Sequence, residues 1–370
     1  MKKRILALVL GAAMTLSMVG CGAKGGDDAK TDAKKGGGDN DYEFEIIVKS
    51  FQSTYWQAAV TGIKQACEEL GVKANSNGPA NESDIADQVQ MLDDAIQKQP
   101  DGIGLAACDT KSVLDSLSKA MEAGIPVVCF DTGVDEAPEG SVAATVATDN
   151  VAAGALAAEN MYPVIKDVVK GATAASPVRI GEVNQDATSA NISERGMGFI
   201  NKFIELAKAD GKTVAVVGND FYVNQVKDNG DQASADVVLE VAVPAQTTVE
   251  LCATEASNIM NKDDTIAMFG SNQVSAEGVL TANQNLNKLG TDDDKIVAAG
   301  FDAGSVIKAA VKDGTLLGAV TQSPLMQGKI SIETLAKICD GESVEDVTTD
   351  GYWYDSTNMD DEDISPNLYD

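Results

Sequence analysis

Residues 103–133 read IGLAACDTKSVLDSLSKAMEAGIPVVCFDTG. Ile103 to Ala107 is a short apolar run of strand length. Ser112 to Ala123 follows with helical spacing, and Gly124 closes it. Pro126 to Phe130 is then apolar without alternation, as in strands covered on both faces. Strand, helix and a second fully apolar strand make a βαβ unit. Two parallel strands need such a crossover between them. The stretch therefore predicts a parallel sheet with helices on both faces, and it ends on a polar Asp131-Thr132-Gly133.

The same grammar extends in both directions. Upstream, Phe44–Val48 reads as a strand, Tyr55–Leu70 as a helix ended by Gly71, and Val72–Ala74 as a strand. Asp84–Lys98 carries Ile85, Val89, Leu92 and Ile96 on one helical face. Downstream, helices are predicted over 152–169, 194–208, 249–261, 276–284, 305–312 and 326–340. Strands are predicted over 179–183, 213–217, 237–243, 265–269, 296–301 and 317–320. This is too much chain for one ordinary domain. The fold expected is α/β, with two doubly wound Rossmann-like lobes, a three-stranded hinge and a ligand cleft between them. Residues 42–148 plus 323–351 would form the first lobe, and 149–322 plus 352–370 the second. Crossovers are expected near Thr148-Asp149, Gln322-Ser323 and Gly351-Tyr352.

The N-terminus has another character. Lys2, Lys3 and Arg4 precede an uncharged apolar run to Val19, and small residues lead to Cys21. That order is a secretory signal. The run is shorter than the ~20 residues of a membrane-spanning helix. Leu16-Ser17-Met18-Val19-Gly20-Cys21 resembles a bacterial lipobox, with Met18 where Leu is more usual. It implies a signal peptide over 1–20 and a lipid on Cys21. Residues 21–41 are mostly Gly, Asp, Lys and Ala with no large apolar side chain, which makes a flexible linker.

Composition excludes several function classes. The formal charge is −29. Loss of Lys2, Lys3 and Arg4 with the signal removes three positive charges and no acid, leaving about −32. Such a chain repels nucleic acid. There is no His, so Ser-His-Asp and Cys-His catalysis and His-based metal sites are out. The six Cys show no metal-ligand spacing, and no phosphate-binding Gly loop follows a strand. No metal or cofactor is expected, and no enzymatic activity.

What remains is at the strand ends. Lys49-Ser50-Phe51-Gln52-Ser53-Thr54-Tyr55-Trp56 joins polar groups to two aromatics, one of them among the chain's 2 Trp. Asp131, Asn272, Asp302 and Gln322 each follow a later strand. In open α/β sheets ligands sit at the carboxyl ends of the strands. Carboxylates and amides accept and donate hydrogen bonds to hydroxyls, and aromatic faces pack against C–H surfaces. The mixture suits a neutral polyhydroxyl ligand. Each residue also has a plainer reading. Asp131 and Asp302 can be helix N-caps, Asn272 and Gln322 turn caps, Lys49 a solvated strand end, and Tyr55 or Trp56 core. Arg195 reads as a structural charge on its helix.

Taken in order, Tyr55-Trp56 with Gly62, Gly124-Ile125-Pro126-Val127-Val128, Asp131, Thr148-Asp149-Asn150, Glu194-Arg195-Gly196, Ser271-Asn272, Gly300-Phe301-Asp302 and Gln322 resemble the periplasmic sugar-binding proteins of the ribose-binding, LacI-like type. These are the solute receptors of ABC importers, and the likeness runs from Phe44 to about Tyr354. It implies that Tyr55 and Trp56 sandwich a sugar, that Asp131 and Asp302 take its hydroxyls, and that Asn272 and Gln322 assist. Thr132 and Ser193 stand where ribose binders carry Arg. Lys49 stands where receptors for autoinducer-2 carry a ligand-binding Lys, so a pentose or hexose is expected first, and autoinducer-2 or another small polyol second. The partners implied are a small neutral solute, the membrane subunits of an ABC permease, and a membrane reached through the lipid; the chain would act as a monomer. A LacI-like repressor would instead need an N-terminal helix-turn-helix, and a sensory receptor would share every feature but the permease.

Overall fold

Apolar runs too short for helices form strands here, and most are followed by an amphipathic helix that returns the chain antiparallel. The computed structural model describes residues 41–370 apart from residue 293; the signal, Cys21 and the linker up to residue 40 lie outside the described residues. The chain alternates β1 (Glu43–Ile47), α1 (Thr54–Leu70), β2 (Lys73–Asn77), α2 (Ile85–Gln97), β3 (Gly102–Leu105), α3 (Leu114–Glu122), β4 (Val127–Phe130) and β5 (Ala144–Thr148). It continues through α4 (Asn150–Gly171), β6 (Val178–Val183), α5 (Ala190–Ala209), β7 (Val214–Gly218), α6 (Asp220–Gln225) and β8 (Val237–Ala242). Then come α7 (Val249–Met260), β9 (Thr265–Gly270), α8 (Gln273–Leu286), β10 (Val297–Phe301), α9 (Ser305–Lys312) and β11 (Gly318–Thr321). It closes with α10 (Pro324–Cys339), β12 (Val347–Thr349) and β13 (Tyr352–Tyr354).

The strands form two sheets. The first runs β12-β5-β4-β3-β1-β2 and the second β13-β11-β10-β9-β6-β8-β7. All pairings are parallel except β11 with β13. Both sheets contain the doubly wound order 2-1-3-4-5, with β6, β8, β9, β10 and β11 standing where β1, β2, β3, β4 and β5 stand. The second lobe adds β7 outside β8. Each sheet has an apolar core on both faces. Phe44, Ile46, Phe130 and Leu335 fill one face of the first sheet, and Leu92, Leu105 and Leu117 the other. Phe199, Phe203, Phe269 and Phe301 dominate one face of the second, and Ile259, Met268 and Val279 the other. Among the described residues no helix is long and apolar enough to cross a membrane.

The chain passes between the sheets at Asp149, at Gln322-Ser323 and at Asp350-Gly351, so three strands of backbone join the lobes. Several elements differ from the sequence reading; α6 and β13 were not expected, and α5 begins at Ala190 rather than Glu194. β5 and β12 were not expected: Ala144–Thr148 and Val347–Thr349 are short runs of small residues whose pairing is decided by β4 and by each other. β2 reaches Asn77 rather than Ala74, because pairing with β1 carries an otherwise polar Asn-Ser-Asn run into the sheet. α4 begins at Asn150, capped by Asp149, whose carboxylate accepts the Ala152 N–H at 2.9 Å.

The site is positioned by two close helix contacts. A Cβ on Gly154 of α4 would lie 1.9 Å from the Arg195 carbonyl oxygen, and one on Gly198 of α5 would lie 2.3 Å from that of Val151. Only the absence of side chains lets α5 approach α4 this closely, and α5 carries three residues of the cleft.

Candidate functional site

The carboxyl ends of both sheets face one another across a narrow cavity of about 20 Å³, room for about one water molecule while the lobes are shut. The first lobe contributes Lys49, Ser53, Tyr55, Trp56, Glu82 and Asp131. The second contributes Gln185, Asn191, Ile192, Arg195, Asn272, Gln273, Val274 and Asp302, and Gln322 enters from a crossover.

Asp131 and Asp302 occupy equivalent places, after β4 and β10, and both have the left-handed backbone, with φ of 62° and 71°. Non-glycine residues rarely adopt it, and such strain concentrates at sites where direction matters. In each lobe the Asp N–H donates to a neighbouring strand, to Val146 O at 2.9 Å and to Val320 O at 2.7 Å. Neither Asp caps the helix that follows it in sequence. Their hydrogen bonding differs sharply. Asp131 Oδ2 accepts from Thr132 Oγ1 and Asn191 Nδ2, both at 2.8 Å, and Lys49 Nζ lies 3.5 Å away; Oδ1 accepts from Tyr55 Oη at 2.5 Å. Asp302 has one donor per oxygen, Gln322 Nε2 at 2.8 Å and the Gln273 N–H at 3.0 Å. A carboxylate has about four acceptor positions. Asp131 is thus largely occupied by its own protein, while Asp302 keeps two positions open. Burial pushes the Asp302 carboxyl above its ordinary pKa, and Arg195 and Gln322 oppose that shift.

Lys49 is buried and bonds Asn191 Oδ1 at 3.0 Å. Burial alone would lower the pKa of its ammonium, but Asp131, Glu82 and Asp186 outweigh it and the net shift is upward. Glu82 accepts from Trp56 Nε1 in its own lobe and from Gln185 Nε2 of the other, both at 2.7 Å. Its carboxyl is raised by burial against the opposing pull of Lys49 and these two donors. Gln273 Nε2 also crosses the cleft, to Thr54 Oγ1 at 2.9 Å. The lobes are therefore closed on each other.

Tyr55 and Trp56 are both buried, with rings 4.9 Å apart and at 81°. They belong to the first-lobe core and line the cavity at once, which adjacent helix positions permit because the ligand space abuts that core. Ser53 caps α1, accepting the Tyr55 N–H at 3.2 Å, and reaches Gln273 Oε1 at 3.4 Å. Asn272 caps α8 in a reciprocal box with Ser275 and donates its amide to Gln185. Gln322 accepts from Thr148 Oγ1 at 2.8 Å while donating to Asp302. These capping readings hold together with placement in the cleft.

Two sequence candidates fall outside the cavity lining. Thr132 is buried behind Asp131 and holds its carboxylate. Ser193 lies in a separate space with Asp135 and Phe221, its hydroxyl donating to Ser189 O at 3.0 Å. The cause is helical phase. Asn191 and Arg195 are four residues apart on α5 and share the cleft face, while Ser193, between them, is turned about 200° from Asn191. Arg195 is also more than a helix charge. It lines the cavity, its guanidinium donates to Ser271 O and Asn150 Oδ1 at 2.8 Å, and it stacks 3.6 Å over the Phe301 ring. Glu82, Gln185, Asn191 and Gln273 were not anticipated. For Glu82 and Gln185 a signal was available, since the loops after β2 and β6 are further βα junctions of the two lobes; Gln273 directly follows the Asn272 already singled out, and Asn191 lies in the first turn of α5.

Among the described residues no group of three or more His, Cys, Asp or Glu is placed to hold a metal. Comparison with known proteins points one way. The sequence model of a family described as periplasmic binding protein domain matches residues 44–343. The ribose import binding protein of Bacillus subtilis is 25% identical over 315 residues, 85% of this chain and 87% of that protein. The D-allose-binding periplasmic protein of Escherichia coli is 23% identical, over 79% of this chain and 83% of its own. Among solved structures, one from Brachyspira murdochii titled as an ABC transporter, LacI family transcriptional regulator is 31% identical. It has a TM-score of 0.73 and covers 89% of this chain and 99% of its own. An ABC transporter solute-binding protein from Agrobacterium vitis, with D-fucose bound, is 28% identical with a TM-score of 0.72, covering 88% and 100%.

Proposed function

The chain belongs to the periplasmic binding protein family, and from that membership we propose that it captures a small neutral sugar, a pentose or hexose, for an ABC importer. The observation that carries this is the closed cavity at the strand ends, where Asp302 keeps two acceptor positions open beside Tyr55, Trp56 and the Arg195 guanidinium. Hydroxyls satisfy such positions without bringing in a charge, and ring C–H faces suit the aromatics. The names of the relatives, ribose and allose binders and a D-fucose complex, support the same class.

Capture works by closure in this reading. The open form binds the sugar on one lobe, and rotation about the three crossovers adds the other lobe's hydrogen bonds. Glu82–Gln185, Asn191–Asp131 and Thr54–Gln273 then close the two edges. The domain division expected from the sequence, with the hinge at Thr148-Asp149, Gln322-Ser323 and Gly351-Tyr352, belongs to this proposal. So do the lipid on Cys21, the linker to Asp41, the monomeric state and the handover to a permease.

Lys49 facing the cavity favours autoinducer-2 or another small polyol as the second reading. One experiment separates the two: a thermal-shift series with D-ribose, D-allose, D-fucose, autoinducer-2, amino acids and small anions, joined to mass spectrometry of whatever solute stays with the purified protein. A sugar among the stabilising compounds is the expected result. Stabilisation confined to amino acids or anions would refute the proposal.

A further inference from the structure

Residues 355–370 lie beyond the family match, which ends at 343, and beyond the last strand. They are not loose. Met359, Ile364 and Leu368 pack against a core face of the second lobe. Thr321 Oγ1 donates to Asn367 O at 2.8 Å, and the Gly304 N–H donates to Tyr369 O at 3.1 Å. Lys308 Nζ reaches Leu368 O at 3.4 Å and pairs with Asp370. The segment is thus fixed to one lobe over its whole length.

Its last aromatic leaves that lobe. Tyr369 packs against the first-lobe core, and its ring meets that of Tyr55 edge to face, at 5.9 Å and 77°. Among the described residues this is the one aromatic pair that joins the two lobes. The Tyr369 hydroxyl accepts the Ala303 N–H at 3.3 Å and lies 3.5 Å from Gln273 Oε1. Tyr369 therefore touches the residue after Asp302, the amide that crosses to Thr54, and the ring whose hydroxyl holds Asp131.

We infer that residues 355–369 are a strap across the cleft, anchored on the second lobe and carrying Tyr369 as a positioning residue that stabilises the closed form over the open one. The strap adds an aromatic contact to the hydrogen bonds that cross the cleft, and unlike the three crossovers it can be made and broken. It rests on the closure reading above and not on which sugar is bound. Opening the cleft must separate Tyr369 from Tyr55, because the two move with different lobes.

The test is the radius of gyration of the sugar-free protein in solution, with Tyr369→Ala, Tyr369→Phe and Tyr369→Leu beside the parent. The expected result is that Tyr369→Ala expands the molecule and Tyr369→Phe does not. Loss of one edge-to-face pair lowers the closed-to-open ratio about two- to tenfold. Tyr369→Leu keeps the bulk that plugs the first-lobe core, so it reports on the aromatic contact if the alanine variant does not fold, and it too must expand. Equal radii in parent, Ala and Leu variants overturn the strap. A titration of each variant with D-ribose and D-allose keeps the two proposals apart: expansion without any sugar binding leaves the strap standing and removes the sugar reading.

Discussion

Asp131 and Asp302 look interchangeable in the sequence, yet their surroundings set different roles. Asp131 is the counter-charge of a buried Lys49 and the acceptor for Tyr55, Thr132 and Asn191. Asp131→Ala leaves that ammonium buried without its partner, which costs about 3–5 kcal/mol of stability, so its melting temperature falls together with its sugar affinity. Asp302→Ala removes hydroxyl acceptors and costs about 2 kcal/mol of binding, roughly 30-fold, with a smaller change in the melt. Calorimetric titration and thermal melts of the two variants check this; equal stability losses would show that the carboxylates share one role. Glu182 makes a second residue-scale case. It is buried in β6 with no cation beside it, and Oε2 and the neighbouring Asn184 Oδ1 have no hydrogen-bond partner. Burial pushes its carboxyl well above 4.5. The folded chain therefore keeps the proton where the unfolded chain has lost it, and this group's contribution to stability declines as pH rises above about 4.5. Glu182→Gln removes that slope and offers its amide to Asn184. Its advantage over the parent in urea unfolding grows between about pH 5 and 8, up to roughly 1.4 kcal/mol per pH unit while the acid stays protonated. A difference flat in pH would contradict the burial argument.

At the scale of elements, the contact of α4 with α5 matters most, because α5 presents Asn191 and Arg195 to the cleft. Gly198→Ala places a methyl 2.3 Å from the Val151 carbonyl oxygen. The helices must part, at a cost of about 1–3 kcal/mol, and Arg195, one turn earlier, shifts with them. Gly171→Ala meets nothing within 4 Å at the end of α4 and serves as the control, neutral or slightly stabilising. Urea unfolding of the two variants decides; equal effects would dismiss the close contact. Elements also show where the sequence was legible. β3, α3 and β4 carry long apolar signals, and they are strand, helix and strand in the structure. β5 and β12 carry almost none. Ala-Thr-Val-Ala-Thr and Val-Thr-Thr become strands only because an open sheet edge lies beside them. Ser193 was misplaced for a related reason. Its match to a position where ribose binders carry Arg put it near the cleft, but the phase of α5 turned it away.

At the scale of the molecule, charge and closure dominate. A formal charge of −29 makes the compact form repel itself. Added salt screens that repulsion, so the melting temperature is expected to rise as ionic strength increases to about 0.5 M. Binding of a neutral sugar should change little over the same range. A strong loss of affinity with salt would mean a charged ligand, and would count against the reading of the site.

The sequence by itself determined the repeating strand–helix grammar, the two lobes, the absence of His chemistry, and the presence of Asp, Asn and Gln at the strand ends. All of these are local, because hydrophobic period and turn chemistry are written within a dozen residues. Tertiary structure alone decided which strand-end groups remain free to meet a ligand. The occupation of Asp131 by Tyr55, Asn191 and the Lys49 charge, the bond from Gln185 to Glu82, the turn of Arg195 into the cleft and the reach of Tyr369 to Tyr55 all join residues far apart in the chain. Such pairings arise only when two sheets face each other, since hydrogen bonding and burial depend on distances that chain spacing does not record.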